Sequence, residues 1–447
     1  MLENKSLSIL TKALARLEEG FDHLPPFDQQ VDVQRLEPIL LEVAQRMQEN
    51  YPYFHPYYAG QMLKPPHPIA RLAYMLALWI NPNNHALDGG KASSAMEKEA
   101  AAEIASMFAW QTHLGHLTSG GTFANLEALW ISGKLAPGKL VIASEQAHYT
   151  HGRISEVLGL PFQAVACDQQ AKMDLDALES LLKMGQVGTV VATIGTTGAG
   201  AVDPLPELLA LRDRYGFRLH ADAAYGGYFV LASNLDAATQ AIFARLSEVD
   251  SIVIDPHKHG LQPYGCGCIL FKDPDVGRFY KHESPYTYFT SSELHLGEIS
   301  LECSRAGASA TALWATQRLM PMVKGGEFAQ GLEKSRRAAL YLYEKVCSDP
   351  RFLPILRPEL DILVWAPKGN SASQISARSQ ALFQAAAQQG LHLATLKVPS
   401  ELLHGIWPDE VLDQAHVTCL RSVLMKPEHE EWVERIWNVL DQITDGF

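Results

Sequence analysis

No stretch of this chain stays apolar long enough to cross a bilayer. The longest, Ile69 to Ile80, is too short and carries Arg71. No basic segment followed by an apolar one opens the sequence, so no leader is read there and the cytoplasm is the expected location. Cysteine is scarce, 6 in 447 residues, which does not make a disulfide framework. Cys266 and Cys268 lie close together, but Cys-x-Cys lacks the second ligand pair of a zinc site. They fall in a strand-like run, Cys266 to Phe271, where cysteine behaves as a small hydrophobe, and no metal is expected. Basic residues are outnumbered, 37 against 50 acidic ones, for a net charge of −13. That balance argues against nucleic acid or an anionic membrane as partner. Internal repeats, low-complexity tracts, a GxGxxG fingerprint and a P-loop are all missing.

What is there suits an enzyme of more than one domain, since a hydrophobic content of 47% over this length supplies a large core. Residues 1–88 read as helical and proline-punctuated, with apolar runs at Leu7–Leu10 and Leu36–Met47. Asp88-Gly-Gly90 marks a break. The helix beyond it places Met96, Ala100, Ile104, Met107 and Phe108 on one face. From there to 325, strand-like and helix-like segments alternate, the pattern of a mostly parallel α/β sheet. Asp203-Pro204 reads as the cap of a helix that stops at Gly216. After the hinge at Lys324-Gly-Gly326, residues 326–447 read as a small α+β domain, with helices near 329–347 and 429–444 around strands such as Asp361–Trp365.

The chemistry gathers at strand ends. Ser251-Ile-Val-Ile is a buried-type strand that stops at Asp255-Pro-His257-Lys258. Phe217-Arg-Leu-His-Ala ends in Asp222-Ala-Ala224. Taken singly, such residues are mostly a surface lysine and a turn-forming aspartate. As a pair at neighbouring strand ends they can grip a pyridoxal ring, the carboxylate keeping its nitrogen protonated and the amine holding its aldehyde as a Schiff base. Leu114–Thr118, Ser119-Gly120-Gly121-Thr122 and the helical stretch from Phe123 make a strand–glycine–helix unit that suits a phosphate. Leu140–Ala143 leads to His148, either a ring-stacking histidine or an ordinary core one. Thr189–Ile194 closes in Gly195-Thr196-Thr197. Ligands of open α/β sheets sit at the carboxyl ends of strands.

Taken in order, Gly-Gly-Thr122, Ala-His148, Ala-Thr-Ile-Gly-Thr-Thr197, His-Ala-Asp222-Ala-Ala-Tyr, Asp-Pro-His-Lys258 and Cys-Ser-Arg305 resemble the group II pyridoxal-phosphate-dependent amino acid decarboxylases. The resemblance spans roughly residues 50–440. It implies the aspartate-aminotransferase-like fold (fold type I), a large domain over 89–325, a small one over 326–447, and a homodimer with shared active sites to which 1–88 contributes exchange contacts. It implies pyridoxal 5′-phosphate held through Lys258, with Asp222 on the ring nitrogen, His148 on one ring face and Ala224 on the other. Gly121, Thr122 and His257 would hold the phosphate, and Thr196 would lie beside the ring. Arg421 would take the substrate carboxylate, for which a planar guanidinium fork is suited; a structural ion pair is the plainer reading. Gln61, Asn84 and His85 would form the substrate side, the latter two across a dimer interface.

Two departures bear on mechanism. Asp255 stands where several relatives have asparagine, and no cofactor contact is transferred to it. The loop that supplies the proton donor in relatives reads Pro285-Tyr286-Thr-Tyr288; Tyr288 matches better and Tyr286 stays open. The implied reaction is decarboxylation of an L-amino acid to an amine, with an aldehyde synthase, carbon–carbon lyase, transaminase or non-catalytic binding subunit as alternatives. Tyr53, Phe54, Tyr57 and Tyr58 favour an aromatic substrate if they wall the pocket. Gln61, Asn83, Asn84 and His85 would favour aspartate or glutamate.

Overall fold

The computed structural model describes residues 4–27, 31–86, 89–281 and 299–444. Helices α1 (Asn4–Glu19) and α2 (Val33–Met47) open the chain. α2 begins where the Asp32 carboxylate accepts the Arg35 N–H, satisfying one free donor of the first turn. It buries none of its residues, and Val33, Leu36, Leu40, Val43 and Met47 are all exposed. α3 (Pro68–Leu78) starts on a proline, whose fixed φ suits a first turn, and is capped by the His67 ring. In α4 (Lys91–Met107), Ala100 and Ile104 are buried as the spacing predicts, with Phe108 just past the end. No helix among the described residues is long and apolar enough to cross a membrane.

The large sheet has seven strands: β1 (Leu114–Thr118), β2 (Leu140–Ser144), β3 (Phe162–Val165), β4 (Val187–Thr193), β5 (Arg218–Asp222), β6 (Ser251–Ile254) and β7 (Gly267–Phe271). Their order is β1-β7-β6-β5-β4-β2-β3. Only β7 runs against its neighbours, so β1 points the same way as β6 and the cofactor-type strand ends share one edge. Val190, Val191, Ala192, Leu219, Ala221, Ile252 and Val253 are inaccessible to water. That is the mark of a parallel sheet covered on both faces. Helices α5 (Gly121–Leu135), α6 (Thr150–Leu158), α7 (Leu175–Leu182), α8 (Leu205–Tyr215), α9 (Ala237–Ala244) and α10 (Gly307–Leu319) accompany it.

α8 ends as expected, at Gly216 with a left-handed φ of 72°. Its start differs. Asp203 does not cap the helix; its buried carboxylate accepts the N–H groups of Met173 (2.8 Å) and Thr193 (2.7 Å). Those backbone donors lie in the interior, where an unmade hydrogen bond costs more than an uncapped, partly solvated helix start.

Beyond α11 (Glu327–Ser348), the strands β8 (Phe352–Pro354), β9 (Ile362–Pro367), β10 (Ala394–Pro399) and β11 (His416–Val423) form a second, wholly antiparallel sheet in the order β10-β11-β9-β8. With α11, α12 (Ala372–Gln388) and α13 (His429–Thr444) it encloses a core of Trp365, Leu382, Leu420, Ile436 and Leu440. A buried hydrogen bond from Tyr225 Oη to Asp361 Oδ1 (2.5 Å) ties this sheet to the large one. The architecture is the α/β fold type I, a mostly parallel sheet with a smaller α+β domain.

Candidate active site

The strand ends converge on one cavity of about 400 Å³. Gly121 and Thr122 follow β1, His148 follows β2, Asp222 ends β5 and Ala224 follows it. His257 and Lys258 follow β6, and all of these line it. Lys258 Nζ sits 3.1 Å from Asp255 Oδ2, and Asp255 is buried and lines the same space.

One end of the cavity is shaped for a phosphate. α5 starts there without a side-chain cap, leaving the first-turn N–H groups and the positive end of the helix dipole for an anion. Close approach explains two glycines. A Cβ on Gly121 would fall 2.6 Å from Asp255 Oδ2, and one on Gly267 would fall 2.5 Å from the Gly120 carbonyl carbon. His257 stands beside Tyr264, ring centroids 4.8 Å apart, and its buried Nδ1 has no hydrogen-bond partner.

The opposite end is built to keep a negative charge. Asp222 Oδ1 accepts the Ala224 N–H (3.2 Å), and Oδ2 lies 2.8 Å from His151 Nε2. Burial alone pushes the Asp222 carboxyl up. The His151 hydrogen bond and the charges of His151 and Lys258 outweigh it and hold the group well below the usual carboxylate range. Burial lowers His148, against the pull of Asp222, so this ring is neutral near pH 7; its Nδ1 meets Thr150 Oγ1 at 2.8 Å. His220 is buried and pushed down to about 3, and it bridges Ser251 Oγ and Asn125 Oδ1, both at 2.9 Å. An anionic carboxylate, a primary amine and an uncapped helix start opening into one cavity fit pyridoxal phosphate.

Other expected site residues fall differently. Thr196 is buried with Oγ1 accepting from Ala201 N–H (3.1 Å), so its hydroxyl closes its own turn while Thr197 lines the cavity. Arg421, on β11, donates from Nε to the Gly198 carbonyl (3.0 Å) and from Nη1 to Gln61 Oε1 (3.4 Å). Its buried Nη2 has no partner, and no carboxylate among the described residues lies within 4.0 Å of it. Asn84 is buried away from the cavity, donating to Glu97 Oε2 (2.6 Å); His85 does not line it either. The tyrosines near Gln61 pack instead. Tyr58 meets Tyr53 edge-on at 4.9 Å, and Tyr57 meets Trp432 of α13 at 5.4 Å. Tyr286 and Tyr288 lie outside the described residues. Sequence reasoning passed over His151 and Asn125. The spacing of His151, three residues after His148 at a helix start, was the available signal. Asn125, four residues beyond Gly121, falls on the same helix face.

The fold and this cavity define a pyridoxal-phosphate enzyme of fold type I. The family model for the pyridoxal-dependent decarboxylase conserved domain matches residues 26–365, and the chain belongs to that family. It is a pyridoxal-phosphate-dependent amino acid decarboxylase. The L-tyrosine decarboxylase of Enterococcus faecium is 27% identical, with 80% of this chain and 75% of that protein covered. A probable L-tyrosine/L-aspartate decarboxylase of Methanothermobacter thermautotrophicus is 31% identical, over 58% of this chain and 70% of that one. Among solved structures, Oryza sativa TDC with PLP and tryptamine superposes with a TM-score of 0.79 at 16% identity, covering 99% and 96% of the two chains. Mouse CSAD gives 0.78 at 17%, covering 99% of both.

Proposed function

We propose that this enzyme removes the α-carboxyl group of an aromatic L-amino acid of the tyrosine or DOPA type, releasing the amine and CO2. The observation that carries the decarboxylase chemistry is Lys258 and Asp222 opening into one cavity beside His148. The aromatic choice is supported by the tyrosine decarboxylase similarity over most of the chain. It no longer draws on the tyrosines near Gln61, which are used in packing. The second reading is an acidic substrate, aspartate or glutamate, favoured by the partnerless Nη2 of Arg421 beside Gln61.

Bound pyridoxal phosphate supplies the electron-accepting ring for the electrons left behind when CO2 departs. This chain's residues do the rest. Lys258 would hold the aldehyde carbon of the cofactor. Asp222, held anionic, keeps a proton on the ring nitrogen. His148 and Ala224 would flank the ring, and Gly121, Thr122 and His257 would hold its phosphate. Arg421 orients the carboxylate. Tyr288, or else Tyr286, delivers the proton to Cα that makes the product an amine. A homodimer is part of this reading, supported by the exposed apolar face of α2.

The test is CO2 and amine detection with tyrosine, DOPA, tryptophan, aspartate, glutamate, cysteine sulfinate and diaminobutyrate, with Lys258→Ala as control. Amine from aromatic substrates supports the proposal. Turnover confined to aspartate or glutamate replaces it with the second reading, and an aldehyde or keto acid product overturns the decarboxylation outcome.

A further inference from the structure

A second cavity, of about 410 Å³, lies where α3, the start of α11 and the segment after β11 meet. The cofactor chemistry does not use it. Lys64, Arg71, Lys334 and Lys426 line it. No carboxylate among the described residues comes within 4.0 Å of any of these four cations. In a chain with 50 acidic and 37 basic residues, such a gathering is out of character. Its carboxylates are Glu327 and Glu428, both solvent-exposed.

The cations sit deeper. Lys426 is 3% exposed and Lys64, Arg71 and Lys334 are half-buried. Lys426 Nζ donates to the Tyr58 carbonyl (2.6 Å) and Lys64 Nζ to the Met425 carbonyl (3.1 Å). Each ammonium has further N–H groups to place. Among the described residues the Arg71 side chain makes no hydrogen bond, and its buried Nε has no acceptor. A buried cation with no carboxylate in ion-pair contact is unfavourable. Burial, followed by the nearby Lys64 charge, outweighs Glu428 and pushes Lys426 down to about 7; burial outweighs the charges of Asp361 and Glu428 and pushes Lys64 down to about 8. The N-terminus of α3 lies at the same cavity, where the helix dipole adds to the attraction for an anion.

We propose that this cavity binds a small oxyanion bearing two negative charges, a phosphate or a dicarboxylate. Arg71 offers a fork for its oxygens, and Lys64 and Lys426 supply the counter-charges.

The test is titration calorimetry on the holoenzyme, whose bound cofactor keeps phosphate out of the first cavity. The probes are inorganic phosphate and succinate, with chloride as the monoanion comparison. Saturable binding of at least one dianion is expected, weakened about tenfold or more by Arg71→Gln and by Lys426→Met, and unchanged by Lys98→Gln on an exposed face of α4. Phosphate alone or succinate alone would identify the source. Saturation by neither, chloride binding as tightly as the dianions, or equal affinity in the wild type and Arg71→Gln would each overturn the proposal. In particular, succinate binding that ignores Arg71 would belong to Arg421. Should Lys426→Met not fold, Arg71→Gln decides alone.

Discussion

His151 Nε2 lies 2.8 Å from Asp222 Oδ2, and both side chains are buried. A carboxylate only accepts hydrogen bonds, so Nε2 carries the proton here. His151 is thereby a positioning residue, fixing the carboxylate's orientation and keeping it ionised. Losing a hydrogen bond to a buried charge costs about 1.5–3 kcal/mol, or roughly one to two pKa units on Asp222.

His151→Phe should therefore weaken pyridoxal phosphate binding by about tenfold. It should also move the pH at which the visible band of the bound cofactor changes. His151→Gln, which keeps an N–H donor, should restore most of both. Equilibrium titration and absorbance against pH read these effects without turnover. An unchanged band and affinity in His151→Phe would show that Asp222 needs no such support.

Asp255 places a carboxylate beside the start of α5, so close that a side chain on Gly121 would collide with it. A phosphate arriving at that helix start meets like charge at short range, worth a few kcal/mol at an effective dielectric of about 20. Lys258, 3.1 Å away, offsets this until its nitrogen is engaged by the cofactor. Asp255→Asn should then tighten cofactor binding by roughly three- to tenfold, a shift of about 1 kcal/mol. Weaker binding in that variant would mean the carboxylate supports the cofactor.

The α/β architecture was legible because buried β-branched runs such as Ser251–Ile254 end in short polar turns at regular intervals. So was the convergence of Lys258, Asp222, His148 and Gly121 on one cavity: Asp222 ends its strand, the others lie within four residues of theirs, and strand ends on one sheet edge must converge. The substrate side was harder to read, because its residues reach the site through tertiary packing. Nothing local says that Asn84 turns to Glu97, or that Thr196 spends its hydroxyl on its own turn. Tyr57 and Tyr58 have the composition of a pocket wall, yet Tyr57 packs on the small-domain core and Tyr58 against Tyr51 and Tyr53. Arg421 differs because its strand register, opposite Val364 and Ala394, brings it beneath Gln61.

Lys426 gives the protein a pH signature on the alkaline side. Its folded pKa, about 7, lies below the usual lysine value near 10.5. Below pH 7 the ammonium is charged in both folded and unfolded chains, and the full cost of burying it is present. As pH rises through 7 the folded state releases its proton before the unfolded state does, so stability increases up to about pH 10. The expected gain is on the order of 4 kcal/mol for an isolated group. Thermal melts of the holoenzyme from pH 6.5 to 9.5 should show this rise, and Lys426→Met should flatten it. An equally steep rise in that variant would assign the effect elsewhere.

The apolar stripe of α2 offers the remaining test. Val33, Leu36, Leu40, Val43 and Met47 recur at helical spacing, and each is at least half exposed. A stripe of that size left to water is unusual unless another surface covers it, and a second copy of the chain is the partner proposed above. Covering one such side chain contributes about 1.5–3 kcal/mol, and in a two-fold dimer each substitution acts twice. Leu36→Glu with Leu40→Glu should raise the dimer dissociation constant by at least about a hundredfold. Sedimentation at micromolar concentration would then find monomers where the parent protein is dimeric. Active sites shared between subunits further require that decarboxylase activity fall with dilution, in step with the dimer fraction. A variant that stays dimeric would place the interface elsewhere on the chain, and a monomer with full activity would show each site to be complete within one subunit.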